Sequence, residues 1–424
     1  MMMNILKLGW RNIWRNKRRT LLTIIAIAFG VMSIVFAKAY FQGIMKSGIE
    51  AVIKTDIGHI RIADKEYLRL ERILPKEHMV TDTDSLRKTI EGAGGVEMVM
   101  ERLKFNVLLN IDDTNEPALA TGVKPDDVNR SLDLEKTLVE GTFYKESTLE
   151  LIIGKGLAKK LNAKLDDELL LVTTDVNYST YALPFKIVGI FETGFSHMDK
   201  HQIYIPLTKA QELLDCRNAA QEVLVYLDNP EQATPMSAAI ESALAAQRPD
   251  HTLEIASWEE NDFIKGTLPF TKQIYDRIYF LILLIVALVI LNTMLMTVME
   301  RYHEIGVIKA LGMKNREISN MILVESFYIG TIGSLIGGAI GGALAALTEK
   351  TGIDIVAMMG EKVWDSMDIP IPFIGKVLYP EFSIQILVSG ILFGIVISLV
   401  AVIYPARKSA KMKPVEAFRS QLKV

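Results

Sequence analysis

Four stretches of this chain contain no charged side chain: residues 20–37, 278–299, 326–348 and 382–406. Each is 18 residues or longer, and at ~1.5 Å per helical residue that covers most or all of a ~30 Å hydrocarbon core. They read as four membrane-spanning helices. The first is the shortest, but Lys38 at its end can snorkel and Ala39, Tyr40 and Phe41 extend the helix, which makes it a full span rather than a buried core helix. Its flank of Arg11, Arg15, Lys17, Arg18 and Arg19 also suits a signal sequence. No small-residue cleavage site follows at the usual distance, so the segment reads as an anchor that stays.

Lysine and arginine near the span ends give the orientation. Lys7, Arg11, Arg15, Lys17, Arg18 and Arg19 precede the first span. Arg301, Lys309, Lys314 and Arg316 lie between the second and third, and Arg407, Lys408, Lys411, Lys413, Arg419 and Lys423 follow the fourth. If the helices alternate, all three segments share one side, which the positive-inside rule makes the cytoplasm. Both termini are then cytoplasmic, and residues 42–277 and 349–381 face outward. Near the N-terminus Lys7, Arg11 and Arg15 recur every four residues opposite Leu6, Trp10, Ile13 and Trp14. This is the pattern of an amphipathic helix lying in the interface, its cations toward anionic lipid.

Although 50% of the residues are hydrophobic, 23% are charged, and these gather between the first and second spans. That interval reads as a folded α+β domain. Strand-like runs at 59–62, 105–110, 169–173, 185–191, 202–205 and 223–227 are separated by helical patterns at 84–91, 156–161, 208–214 and 235–247. Its length is enough to bury a core of its own, divided into two lobes. At its edges 42–54 and 270–277 run on into the spans, so the domain would ride on two helices that extend out of the membrane.

A net charge of −3 supplies no basic face for phosphates and argues against a nucleic-acid partner. The single cysteine, Cys216, can form no internal disulfide and reads as a buried, inert thiol. There is no GxxxxGK[ST] phosphate loop, since Gly154-Lys155-Gly156 lacks both the spacing and the hydroxyl, and no HExxH, paired-cysteine cluster or GxSxG elbow. His197-Met198-Asp199-Lys200-His201 brings two imidazoles and a carboxylate together, and is read as a surface cluster in a loop rather than a metal site. No catalytic residue and no metal ligand is assigned. Glu325, near the cytoplasmic end of the third span, is an intramembrane carboxylate of the kind that marks proton or substrate paths. So close to the interface it is expected to snorkel or to pair with a base such as Arg316. Gly333, Gly337 and Gly341 form one four-residue series, Gly338 and Gly342 another, and Gly390 and Gly394 a third. Small residues at this spacing let membrane helices approach closely and slide, or serve packing alone.

Between the second and third spans the chain reads Glu300-Arg301-Tyr302-His303-Glu304-Ile305-Gly306-Val307-Ile308-Lys309-Ala310-Leu311-Gly312. This resembles the cytoplasmic E-[IV]-G-x-x-[KR]-A-[LMI]-G signature of the permease family that includes the macrolide exporter MacB, the lipoprotein-releasing LolC and LolE, and the cell-division permease FtsX. The C-terminal run from Tyr404-Pro405-Ala406 to Lys413-Pro414-Val415-Glu416-Ala417-Phe418-Arg419 looks like the family's P-A-x-x-A-x-x-x-x-P-x-E-A-L-R, with Phe418 replacing the usual aliphatic residue. Gly154 to Leu161 followed by Asp166-Asp167 is similar to the family's G-x-x-L-A-x-x-L-x-x-x-x-G-D turn, with Asp166 in place of glycine.

The resemblance spans the whole chain. It implies a type VII, mechanotransmission-like permease: an α-helical membrane protein with four transmembrane helices plus a large α+β periplasmic domain of two lobes. The implied divisions are an amphipathic cytoplasmic helix 1–19, spans 20–41, 278–299, 318–348 and 382–406, a coupling helix within 300–317, a periplasmic loop 349–381 and a cytoplasmic tail 407–424. The periplasmic domain 42–277 would carry lobes at about 50–130 plus 221–262 and at 131–220. ATP and Mg²⁺ would be bound by a separate ABC ATP-binding subunit, because this chain has no phosphate loop and binds no cofactor itself. Two such subunits would serve two permease chains, the second being this chain or a paralogue, in the bacterial inner membrane, surrounded by lipid and open to a periplasmic protein partner. Glu304, Ile305, Gly306, Ile308, Lys309, Ala310, Leu311 and Gly312 would meet the ATPase. Ile305, Ile308 and Leu311 would supply an apolar ridge, Glu304 and Lys309 polar rims, and Gly306 and Gly312 close approach or a helix end. The implied function is export or extraction of lipoproteins or other amphiphiles. The alternative is an FtsX-like transducer that regulates an extracytoplasmic partner, such as a cell-wall hydrolase, without transport.

Overall fold

The computed structural model describes residues 10, 11, 15, 17–111, 114–132, 137–194, 196–248, 252–360, 363 and 377–411. They divide into a helical unit and a sheet unit, the divisions falling after Met45, Pro269, Ile353 and Val377.

Helix α1 (Lys17–Val52) ends in a π turn, Ile53–Ile57, and Gly58 at φ 64° releases the chain into the sheet unit. There follow β1 (Ile60–Asp64), α2 (Lys65–Arg69), β2 (Val80–Thr81), α3 (Thr83–Glu91), β3 (Val96–Ile111), β4 (Thr114–Val123), α4 (Pro125–Leu132) and β5 (Leu138–Gly141). The unit continues with β6 (Glu150–Gly154), α5 (Lys155–Leu161), β7 (Glu168–Thr174), β8 (Thr180–Phe191), α6 (Ser196–His201), β9 (Gln202–Pro206) and α7 (Leu207–Leu214). It closes with β10 (Ala219–Ala220), β11 (Glu222–Leu227), α8 (Ala233–Gln247) and β12 (Leu253–Ser257). One ten-stranded sheet runs in the order β12-β1-β11-β3-β4-β9-β6-β8-β5, with β7 paired to both β3 and β8. The β4–β9 and β6–β8 pairs are parallel and the others antiparallel.

Among the described residues three apolar cores form on this sheet, one of them from Met98, Met100, Phe191, Tyr204 and Tyr226 with Val128 of α4. Ile60, Ile62, Val99, Val223 and Val225 pack under α3 and α8 through Leu86, Ile90, Ile240 and Leu244. Phe105, Leu109, Leu151, Leu169, Phe185 and Ile187 pack with Leu157 and Leu161 of α5 and with Leu213 of α7. The 16-residue β3 contributes to all three. The turn after α5 works without its glycine: Asp166 adopts φ 69°, the left-handed region that Asp tolerates better than most residues.

A buried ion cluster lies where the π turn meets the sheet. Glu222, on β11, is fully buried, and directly opposite it on β3 stands Arg102. Arg102 Nε donates to Glu222 Oε2 at 2.7 Å, Arg61 binds the same carboxylate, and Arg61 Nη2 also reaches Glu71 Oε1 at 2.6 Å. Burial alone would raise the Glu222 carboxyl, but Arg102, Arg61 and Lys104 beside it reverse the sign and hold it well below the usual carboxylate range. A carboxyl depressed in the folded state contributes stability that is present above its unfolded pKa and is lost as pH falls toward its folded one. Acid titration of the chain, followed by tryptophan fluorescence, is therefore expected to show extra loss of stability below about pH 4.5 that Glu222→Gln lacks. Equal slopes in the two proteins would rule the carboxylate out.

In the helical unit, α9 (Asp262–Met299), α11 (Asn315–Thr351) and α13 (Ile384–Lys411) join α1 as the four helices, among the described residues, that are long and apolar enough to cross a membrane. A shorter helix, α10 (Tyr302–Ala310), links α9 to α11, and a five-residue helix, α12 (Ile355–Met359), comes between α11 and α13 in sequence. Helices α1 and α9 meet through Thr23 and Thr297, whose hydroxyls are 3.2 Å apart, and through Phe41 stacked on Tyr275 at 5.2 Å. Lys38 reaches Asp276 at 3.5 Å and lies over the Tyr279 ring. The glycines of α11 serve two neighbours. A methyl on Gly333, Gly337 or Gly341 would strike α1 at Ile27, Ala28 or Met32, and one on Gly338 or Gly342 would strike α13 at Ile391 or Leu387. Gly390 and Gly394, on α13, make room for Val35 and Val31 of α1. Glycine on α11 and α13 thus brings α1, α11 and α13 into close contact.

Candidate functional site

Helix α10 is short because both ends are stopped. Arg301, at φ −98° and ψ 7°, breaks from α9, and its carbonyl accepts from Ile305 N at 2.9 Å. At the other end Gly312 takes φ 98° and donates to the Lys309 carbonyl at 3.0 Å, the left-handed conformation that ends many helices. Helix α11 then starts at once, Glu317 Oε2 accepting from Lys314 N at 2.9 Å.

One side of α10 is bound into the helical unit. Ile305 is 2% exposed, in the core with Ile318, Ile322 and Val402, and Gly306 is buried beside it. Buried Arg301 binds Glu325 of α11 through Nη1 and donates from Nε to Glu304 at 3.1 Å. Glu304 also receives Arg15 at 2.7 Å, and Arg19 stands 3.8 Å from Glu300. Partial burial would raise the Glu304 carboxyl; Arg301 and Arg15 overcome it and hold the group below its ordinary value. Lys309 Nζ donates to the Ala410 carbonyl of α13 at 2.6 Å. The three arginines and three glutamates of this cluster balance in charge, and they tie α10 to its neighbours.

The other side is open. Leu311 is 83% exposed and Val307 37%, with Ala310 exposed between them and Ile308 half-buried. Three details of the sequence reading are thereby corrected. Ile305 belongs to the internal core and not to an outward ridge, which is formed by Val307, Ala310 and Leu311. Glu304 and Lys309 spend their charges on Arg15, Arg301 and Ala410 within the chain. Glu325 is bound by Arg301 and not by Arg316: nine positions apart on one helix, at ~100° per residue, Arg316 and Glu325 point to opposite faces.

Other sequence features take their places. Trp10 packs edge-on against Tyr328 with ring centroids 5.5 Å apart, while Leu6, Lys7, Ile13 and Trp14 lie outside the described residues. Pro405, Ala406 and Ala410 are buried in α13, and residues 414–419 lie outside the described residues. Contrary to the loop expected at the surface, Asp199 lies buried on α6, and its carboxylate accepts from Thr193 N and Oγ1, both at 2.8 Å, and from Gly194 N, just before the helix; burial raises its pKa. Burial pushes the Cys216 thiol up to about 12, far from the thiolate that reactivity needs.

Comparison with known proteins covers both units. Residues 20–243 match the MacB-like periplasmic core domain, and residues 278–414 match the FtsX-like permease C-terminal region. The chain is 25% identical to the uncharacterized ABC transporter permease YknZ of Bacillus subtilis, over 98% of each protein. It is 23% identical to the macrolide export ATP-binding/permease protein MacB of Psychrobacter cryohalolentis, over 95% of this chain and 57% of that protein. It is 21% identical to the lipoprotein-releasing system transmembrane protein LolC of Xylella fastidiosa, over 72% of this chain and 74% of that one. With one region of each kind in sequence, the chain belongs to the family of ABC transporter permeases that join a MacB-like periplasmic core domain to an FtsX-like permease region.

Proposed function

We propose that this chain is the permease subunit that couples ATP hydrolysis, in a separate ATP-binding subunit, to movement of the sheet unit on the periplasmic side, and that its cargo is a lipoprotein or another amphiphile. In this reading α10 and both termini lie in the cytoplasm of a bacterium's inner membrane, and two permease chains sit on two ATP-binding subunits. The observation that carries it is α10 itself. A helix fixed on one side by Arg301, Ile305 and Lys309 presents an apolar tip of Val307, Ala310 and Leu311 on the other. An exposed leucine on a rigid support suits insertion into a partner's groove, and a rigid support passes on the displacement of that groove.

Support for an amphiphilic cargo comes from the sheet unit and from relatives. On β4, β3, β7 and β8, Pro117 stands opposite Leu108, Leu108 opposite Val172, Val172 opposite Ala182, and Leu170 opposite Pro184. Directly opposed residues share a face, and Leu108, Leu170, Pro117, Ala182 and Pro184 are exposed there. LolC is named for lipoprotein release and MacB for macrolide export.

Leu311→Asp is expected to weaken copurification of the ATP-binding subunit about 30-fold, the effect of losing a ~2 kcal/mol contact, with the chain's thermal stability unchanged. Binding equal to wild type would remove α10 from the interface. The cargo is tested by mass spectrometry of the complex purified from its native membrane. Enriched lipoproteins or lipid would support the reading, whereas a soluble periplasmic protein without enriched amphiphile would overturn it.

A further inference from the structure

The last carbonyls of α1 and its π turn are taken up by side chains of the sheet. Helix C-termini leave four carbonyls without partners, normally met by water or by a cap. Here Tyr226 Oη donates to Lys54 O at 3.0 Å, Arg102 Nη1 donates to Thr55 O at 2.9 Å, and Arg102 Nη2 donates to Asp56 O. The Ile53 carbonyl accepts from Gly58 N at 2.8 Å. Lys104 binds the Asp56 carboxylate, and Glu222 holds the Arg102 fork from the opposite strand. On its apolar side the same turn places Ile53 and Ile57 against Ile264 and Trp258. A surface helix end needs none of this, and a guanidinium buried to 2% exposure is costly unless its donors are used.

We propose that Arg102 and Tyr226, with Glu222 orienting the arginine, are positioning residues that weld the end of the first spanning helix to β3 and β11, so that the π turn and the sheet move as one body. The planar guanidinium suits this role because two of its donors reach two successive carbonyls while a third stays on the carboxylate. An ammonium cannot span the three. The inference deepens the coupling proposed above and rests on it for its purpose, but the weld itself is tested separately.

The test is hydrogen exchange on the full chain in detergent, comparing wild type with Arg102→Lys, which keeps a cation beside Glu222, and with Tyr226→Phe, which removes one hydroxyl. In both variants the amides of Thr55 to Gly58 are expected to exchange about ten-fold faster while those of β1, β3 and β11 keep their protection. Unchanged rates at these four residues, or faster exchange spread evenly over the three strands, would overturn the weld and leave only a general stabilising role. A second arm adds the ATP-binding subunit with and without nucleotide. In Arg102→Lys the nucleotide-dependent change at α10 should persist while that in the sheet is lost. Its persistence in the sheet would refute transmission through this joint. Should wild type show no nucleotide effect at α10, the coupling proposal has failed, and the weld is then decided by the exchange rates at Thr55 to Gly58.

Discussion

Arg301→Met is expected to destabilise the helical unit by about 3–5 kcal/mol, the range for removing one partner of a buried ion pair. Glu325 is 4% exposed on a spanning helix and bound directly by the Arg301 guanidinium; removing that cation makes its charge more costly to hold in an apolar setting. The penalty comes from the buried carboxylate that remains, more than from the loss of attraction. The double variant Arg301→Met with Glu325→Met should therefore recover most of the loss, because apolar replacement of a whole buried pair is often neutral or better. Thermal unfolding followed by size-exclusion chromatography separates the cases: a single variant as stable as wild type would mean that Glu325 has another adequate partner. The double variant also isolates function. If Arg301 and Glu325 carry motion from α10 to α11, the double variant should fold and bind the ATP-binding subunit yet lose nucleotide-dependent change beyond α10.

That pair also marks how far the sequence can be read. The four uncharged runs and their basic flanks make the helices and their number legible, because lipid tolerates few alternatives. The motif between the second and third spans makes a short separate helix legible as well. Its internal wiring is harder to see, since Glu304 and Lys309 look equally fit for a partner's surface or for Arg15 and Ala410, and only packing decides. For Glu325 the signal was present: helical phase excludes Arg316, and Arg301 is the arginine of the preceding connection. The weld offers no such signal. Arg102 and Glu222 are 120 positions apart in sequence, each in an ordinary strand pattern, and become neighbours only through the β3–β11 register. Strands β4, β6 and β12 were missed for a related reason: their runs are short or interrupted by Pro117, Gly154 or Glu254, and pairing with longer neighbours fixes them where propensity does not.

Gly337→Ala should cost about 2 kcal/mol or more, whereas Gly342→Ala, five positions on along the same helix, should be near neutral. Alanine gains up to ~1 kcal/mol over glycine in helix propensity at either site, so the sign is set by what the new methyl meets. At Gly342 it would stand 3.2 Å from the end of Leu387 and 3.3 Å from the Phe382 ring, side-chain atoms that can rotate a few tenths of an ångström away. At Gly337 it would fall on the Ala28 backbone, 2.8 Å from both the carbonyl carbon and Cα and closer still to the oxygen. A backbone atom within a helix cannot yield alone, so α1 and α11 would have to separate along several turns and lose the contacts at Gly333 and Gly341 too. Overpacking of this kind costs ~1–3 kcal/mol even where side chains can adjust, and here it exceeds the propensity gain. Comparing the midpoints of thermal unfolding for the two variants in the same detergent is the check. Equal midpoints would mean that the glycine series is not what lets α1 approach α11, and the sliding of spans that such a contact permits would lose its structural basis.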